Sequence, residues 1–195
     1  MGSATEYISI ETANALLEDY YTSIFNRAHW GDMKLLCKNI RELLHNILPC
    51  IIAHGTMCKL FTTTAFLLAA SIADIHVMRC LLEHGISPNV CCDCRRTALF
   101  CVVDYPTYPS TQRLEAAQLL MDSGCNMNHV DLWGNNALLH AVVFNDVDMF
   151  QLLVANGANC ESINENTHYN CMKLAKRSNY KGSHDNIITY LASLF

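Results

Sequence analysis

Three cysteines crowd into Cys91-Cys92-Asp93-Cys94. The C-x2-C spacing of Cys91 and Cys94 suits two thiolate ligands of a zinc ion, or a redox dithiol. A structural zinc needs two further ligands. The nearest donors, His84, Cys101 and His129, follow no paired spacing. A thiol or zinc protein using the Cys91–Cys94 pair is therefore the alternative reading. His140 sits in the apolar block Leu138-Leu139-His140-Ala141, and the sequence nominates no nucleophile or carboxylate beside it. It reads as a structural histidine bonded to a neighbouring turn. P-loop, G-x-G-x-x-G, H-E-x-x-H and G-x-S-x-G patterns are missing from the sequence. No catalytic residue, cofactor or metal is expected, and no small-molecule substrate.

The elements that carry these residues belong to an apolar chain. Of 195 residues, 51% are hydrophobic and 16% charged, enough for one domain with a sizeable core. The net charge is -5, and the 13 Lys and Arg are scattered. The pairs Arg95-Arg96 and Lys176-Arg177 are too small for a phosphate track, so nucleic acid is not an expected partner. The longest uncharged run, Leu43–Cys58, has 16 residues and includes Pro49 and Gly55, too short and too polar to span a bilayer. Met1–Ile10 has no basic start and no apolar block, so no leader is expected. Glu6 stands where myristoylation requires Ser or Thr. Eleven cysteines, an odd number, argue against a disulfide framework and for reduced thiols in cytoplasm or nucleus.

An internal repeat organises the chain. Thr64-Ala65-Phe66-Leu67-Leu68 opens a block that ends at Leu81-Leu82-Glu83-His84-Gly85. Asn136-Ala137-Leu138-Leu139-His140 opens another that ends at Leu152-Leu153-Val154-Ala155-Asn156-Gly157. Each opening residue precedes its glycine by 21 positions. Between them, Thr97-Ala98-Leu99-Phe100-Cys101 leads to Leu119-Leu120 and Gly124. Thr64 to Thr97 and Gly124 to Gly157 are both 33 residues, and the middle copy carries six extra. Each copy predicts two short helices. A Thr or Asn caps the first, and a glycine able to turn left-handed ends the second. One such unit cannot bury its own apolar faces, but a stack can.

With Asp131, Gly134, Leu138, Ala141, Leu152, Leu153, Gly157 and Ala158 in register, the chain resembles the ankyrin-repeat family. Ala65, Ala98 and Ala137 replace the family's proline. Cys92 and Arg95 replace its turn Asp and Gly, so the middle turn is expected to be less regular. The resemblance implies an all-α fold, an α-solenoid of about five helix-turn-helix repeats with short β-hairpin-like turns. The expected division is a degenerate N-terminal repeat at 10–45, an insertion at 46–58, repeats at 59–91, 92–130 and 131–163, and a degenerate C-terminal cap at 164–195. It also implies a non-enzymatic adaptor, scaffold or inhibitor, monomeric in isolation, that binds a protein partner on a concave surface. The alternatives are a ubiquitin-ligase substrate adaptor, for which Ala192–Phe195 leaves no recruitment box, and a protein like the NF-kappa-B inhibitors.

By the family's register, the partner-binding residues are Leu60, Phe61, Ile72, Arg96, Asp104, Tyr105, Leu132, Trp133, Asn135 and Phe144. Exposed aromatics and arginine are favoured anchors. Pro106 and Pro109 stiffen an insertion, Tyr105–Thr111, that reads as a tolerated surface loop or an extra contact arm. Asn89 and Asn128 each stand eight residues after a leucine, Leu81 and Leu120. In this family that spacing resembles a target of asparagine hydroxylation, although a turn-forming role accounts for both.

Overall fold

The computed structural model describes residues 12, 15–20, 33–54, 59–104, 110–179 and 181–194, with backbone alone at 33–37, 50–54 and 59–61. Residues 15–20 are helical. Then follow α1 (Met33–His54), α2 (Lys59–Ser71), α3 (Ile75–Glu83), α4 (Ala98–Asp104), α5 (Ser110–Asp122), α6 (Ala137–Val143), α7 (Val147–Ala155), α8 (Cys171–Ser178) and α9 (Asp185–Ser193). Residues 46–54 form the second half of α1 and carry Pro49 inside the helix. Of the degenerate N-terminal repeat expected at 10–45, residues 10, 11, 13, 14 and 21–32 lie outside the described residues, as does the loop at 105–109.

Local chemistry sets where these helices begin and end. Asp74, Asn136, Asp146 and Asn170 accept from the backbone N–H three residues ahead and cap α3, α6, α7 and α8. After α3, α5 and α7 the chain turns through Gly85, Gly124 and Gly157 at φ +88°, +80° and +94°. At each glycine the same pair of hydrogen bonds closes the helix, as in Ala158 N to Leu153 O and Gly157 N to Val154 O, both 3.0 Å.

The helices pack in two layers. α2, α4, α6 and α8 contact one another in order, as do α3, α5, α7 and α9, and α2–α3, α4–α5, α6–α7 and α8–α9 are also in contact. α1 touches both α2 and α3 and so covers the start of both layers. All seven residues of α4 are buried, as are Ala137–Val142 of α6. A helix enclosed by its own partner and by both flanking repeats has no face left for water. That explains why these segments read as apolar without a polar stripe. Burying one leucine or phenylalanine in such a layer stabilises by about 1.5–3 kcal/mol. α8 differs: Lys173 and Lys176 stand where α6 has Leu139 and Val142, and both lysines are exposed.

The turns between repeats take the expected hairpin form. Asp131 N bonds Asn135 O at 2.9 Å and Asn164 N bonds Tyr169 O at 2.9 Å. The middle turn was expected to be irregular, yet it closes with Cys92 N to Arg96 O at 3.1 Å and an antiparallel bridge between Cys91 and Thr97. The cost falls on Arg95, which holds φ +60° where the next repeat has Gly134 at +77°.

At Gly157 an added Cβ would meet nothing within 4 Å, so any penalty there comes from the backbone alone. Gly157→Val should lower stability by about 1–3 kcal/mol, and Gly157→Asn by less, because asparagine tolerates the left-handed region. Urea unfolding midpoints check this; equal midpoints for Val and wild type would contradict it.

Candidate functional site

Leu132 and Trp133 occupy the tip of the turn before α6, and their side chains remain 56% and 52% exposed. Their backbone is tied on both sides. Asp131 Oδ1 accepts from the N–H of Trp133 and of Asn135, both at 2.9 Å. Leu132 N donates to Cys94 O of the preceding turn at 3.1 Å. From the following turn, Asn164 Nδ2 and Asn166 Nδ2 donate to Trp133 O at 3.0 and 2.8 Å. Asn164 Nδ2 also reaches Asn135 Oδ1 at 2.6 Å. Gly134 is needed between them: a Cβ there would approach Asn166 Nδ2 to 3.0 Å.

Beneath the tip lies a buried polar cluster. Asp104 ends α4, and its carboxylate receives Arg96 Nη1 at 2.9 Å and lies 2.5 Å from His140 Nδ1. Asp131 Oδ2 lies 3.4 Å from His140 Nε2 and 3.8 Å from Arg96 Nε. Phe100 meets the His140 ring edge-on at 5.2 Å, and the Arg96 guanidinium stacks 5.3 Å from the Trp133 ring centre. Arg96 thus links the exposed aromatic to two buried carboxylates. His140 is held between Asp104 and Asp131, carboxylate partners that local sequence did not reveal.

Two of the expected contact residues need correction. Ile72 is fully buried in the turn between α2 and α3, within the core. Asp104 is buried too, its carboxylate taken up by Arg96 and His140, so neither offers surface to a partner. Asn135 is half-buried and bonded to Asn164. Phe144 is half-buried at the C-cap of α6, beside His140. The side chains of Leu60 and Phe61, and Tyr105 altogether, lie outside the described residues. Exposed Val143, the last residue of α6, was missed because an apolar residue in an apolar helix reads as core. Arg113 was missed as well. It is buried, donates to the carbonyls of Val102 and Val103 at 3.1 Å each, and meets the Asp146 cap at 2.6 Å. Arg41 meets the Asp74 cap in the same way at 3.1 Å. The only signal for these pairs was the recurrence of Asp ahead of α3 and α7.

The described cysteines are free thiols. Cys91 is exposed and Cys94 half-buried. Burial first, and then Cys92, raises the Cys94 thiol above its ordinary value. Among the described residues no group of three or more His, Cys, Asp or Glu is arranged to hold a metal. Asn89 and Asn128 are turn links: Asn89 Oδ1 accepts from Asn126 N at 2.7 Å and Asn128 Oδ1 from Asn159 N at 3.1 Å.

A family model described as ankyrin repeats (3 copies) matches residues 108–194, and over that stretch the chain is similar to the ankyrin-repeat family. Ahead of it, α2, α3 and α4 continue the same two layers. A search of curated proteins finds no match. Ankyrin repeats are in general protein–protein interaction modules, and the family is typically non-enzymatic. Among the described residues no helix is long and apolar enough to cross a membrane.

Asp104→Ala would leave Arg96 and His140 without their main partner. It should cost about 3–5 kcal/mol, as for a broken buried ion pair. A loss under 1 kcal/mol in denaturant unfolding would contradict the cluster's structural role. A second expectation concerns alkali. Burial, followed by the nearby Cys160, pushes Cys171 up to about 12 from the ordinary 9.0, and burial pushes Cys125 up to about 11. Above about pH 9 the unfolded chain loses these protons while the folded chain keeps them, so stability falls as pH rises toward the folded values. Melting temperature followed from pH 8 to 11 should decline less steeply in a Cys125→Ala/Cys171→Ala variant. Parallel declines would refute this assignment.

Proposed function

We propose that this chain is a non-enzymatic binding module that holds a protein partner on the face carrying the Leu132–Trp133 tip. The observation that carries the reading is the exposure of two large apolar side chains on a backbone pinned from three consecutive turns. Solubility alone would favour polar residues there, and a pre-ordered anchor loses little entropy on binding. Val143 and Phe144 at the end of α6 extend the apolar character, and Arg96 stacked on Trp133 adds an amphipathic edge. Asn135 supports the tip from behind. An adaptor, scaffold or inhibitor role, a monomeric state and the repeat boundaries expected from the sequence belong to the same proposal. Free cysteines support a reducing compartment, cytoplasm or nucleus.

Affinity capture from lysate, with wild type compared against Leu132→Ser and Trp133→Ala, tests the reading. A protein retained by wild type should bind each folded variant at least ~30-fold more weakly, equivalent to about 2 kcal/mol. Leu132 is the cleaner probe, because Trp133 also stacks on Arg96. Equal retention by variants with wild-type circular dichroism would place the site elsewhere.

A further inference from the structure

The last inner helix, α8, carries three exposed cations, where Arg79 of α3 is a single exposed cation on its helix. Arg41, Arg96 and Arg113 each face an aspartate within 3.1 Å. On α8, Lys173, Lys176 and Arg177 are exposed, and among the described residues no carboxylate lies within 4.0 Å of any of them. Lys176 and Arg177 stand three and four residues after Lys173, so each neighbours it on the helix surface. Tyr169 extends the group: Arg177 Nη1 donates to its hydroxyl, and the guanidinium lies 5.1 Å from its ring centre. This excess of positive charge sits in a chain whose net charge is -5.

The cations are joined to the apolar tip through the turn between them. Asn164, which donates to Trp133 O, also gives its own N–H to Tyr169 O. The Arg96–Trp133 pair joins the two turns before it, and the Arg177–Tyr169 pair joins this turn to α8. α8 is about 12 Å long, the reach of roughly four residues of extended chain.

We propose that the surface running from Leu132 and Trp133 to Lys173, Lys176 and Arg177 receives an extended acidic segment of the partner protein. An apolar side chain of that segment seats on Leu132 and Trp133, and carboxylates downstream of it meet the three cations. The inference rests on the tip reading above and adds the chemistry of the partner. Charge complementarity carries it: three exposed cations without a carboxylate partner among the described residues, linked through one turn to an apolar anchor, match a short run of acids beside an apolar residue. Three cations on two turns of helix are too few to track a nucleic-acid backbone.

Selection of random 12-residue peptides displayed on phage against the full chain tests it. Recovered peptides should carry Asp or Glu in excess beside an apolar residue. Their synthetic forms should bind a Lys173→Gln/Lys176→Gln/Arg177→Gln variant at least 10-fold more weakly, with an unchanged melting temperature. Raising NaCl from about 50 to 300 mM should weaken wild-type binding and affect the variant little. Peptides without an acidic excess, or bound equally by the triple variant, would overturn the inference and leave the tip reading standing, provided Leu132→Ser still weakens them. Indifference to Leu132→Ser would overturn the tip reading itself. Recovery of no peptide, or displacement of the peptides by an equal concentration of 12-nucleotide single-stranded DNA, would also overturn the inference.

Discussion

Enclosure of the short inner helices by their neighbours is the constraint on which the structure depends. α4 and α6 have seven residues each, and almost every one is buried. Isolated helices of that length are unstable in water, so their order comes from packing against the flanking repeats. Each repeat therefore stabilises the next, and the turns that project from the layers inherit their positions from the stack. α1 at one end and the lysines of α8 at the other are where that enclosure stops.

Polar groups survive inside such a stack only with partners. The carboxylate of Asp104, the ring of His140 and the guanidinium of Arg96 come from two repeats and close on one another. Arg113 and Arg41 serve a second role, each meeting the aspartate that caps an outer helix of the adjoining repeat. These links fix the spacing between repeats more sharply than apolar packing alone, because a hydrogen bond fails over a few tenths of an ångström. The Leu132–Trp133 tip stands on this framework, its backbone hydrogen-bonded to Asp131, Asn164 and Asn166.

The repeat itself was legible because its signals are local. Gly85, Gly124 and Gly157 mark left-handed turns, and caps such as Asn136 precede apolar blocks at a constant interval. Trp133 was placed at an exposed tip for the same reason. Asp104 and Ile72 were misplaced because their burial is decided by distant residues. His140 lies 36 positions from Asp104, and nothing near Asp104 in sequence announces it. Ile72 sits in a turn that the register assigns to the surface, while the fold folds it into the core. Arg95 runs the other way: its side chain argues against a left-handed turn, yet the hairpin hydrogen bonds hold it there.

The central claim is that the apolar tip is pre-ordered before any partner arrives. Amide hydrogen exchange of Leu132, Trp133 and Asn135 tests it most directly. These N–H groups belong to a surface turn but donate to Cys94 O and Asp131 Oδ1. Protection approaching that of the α6 amides is expected, lost on Asp131→Ala. Exchange at the rate of an unstructured loop would contradict it.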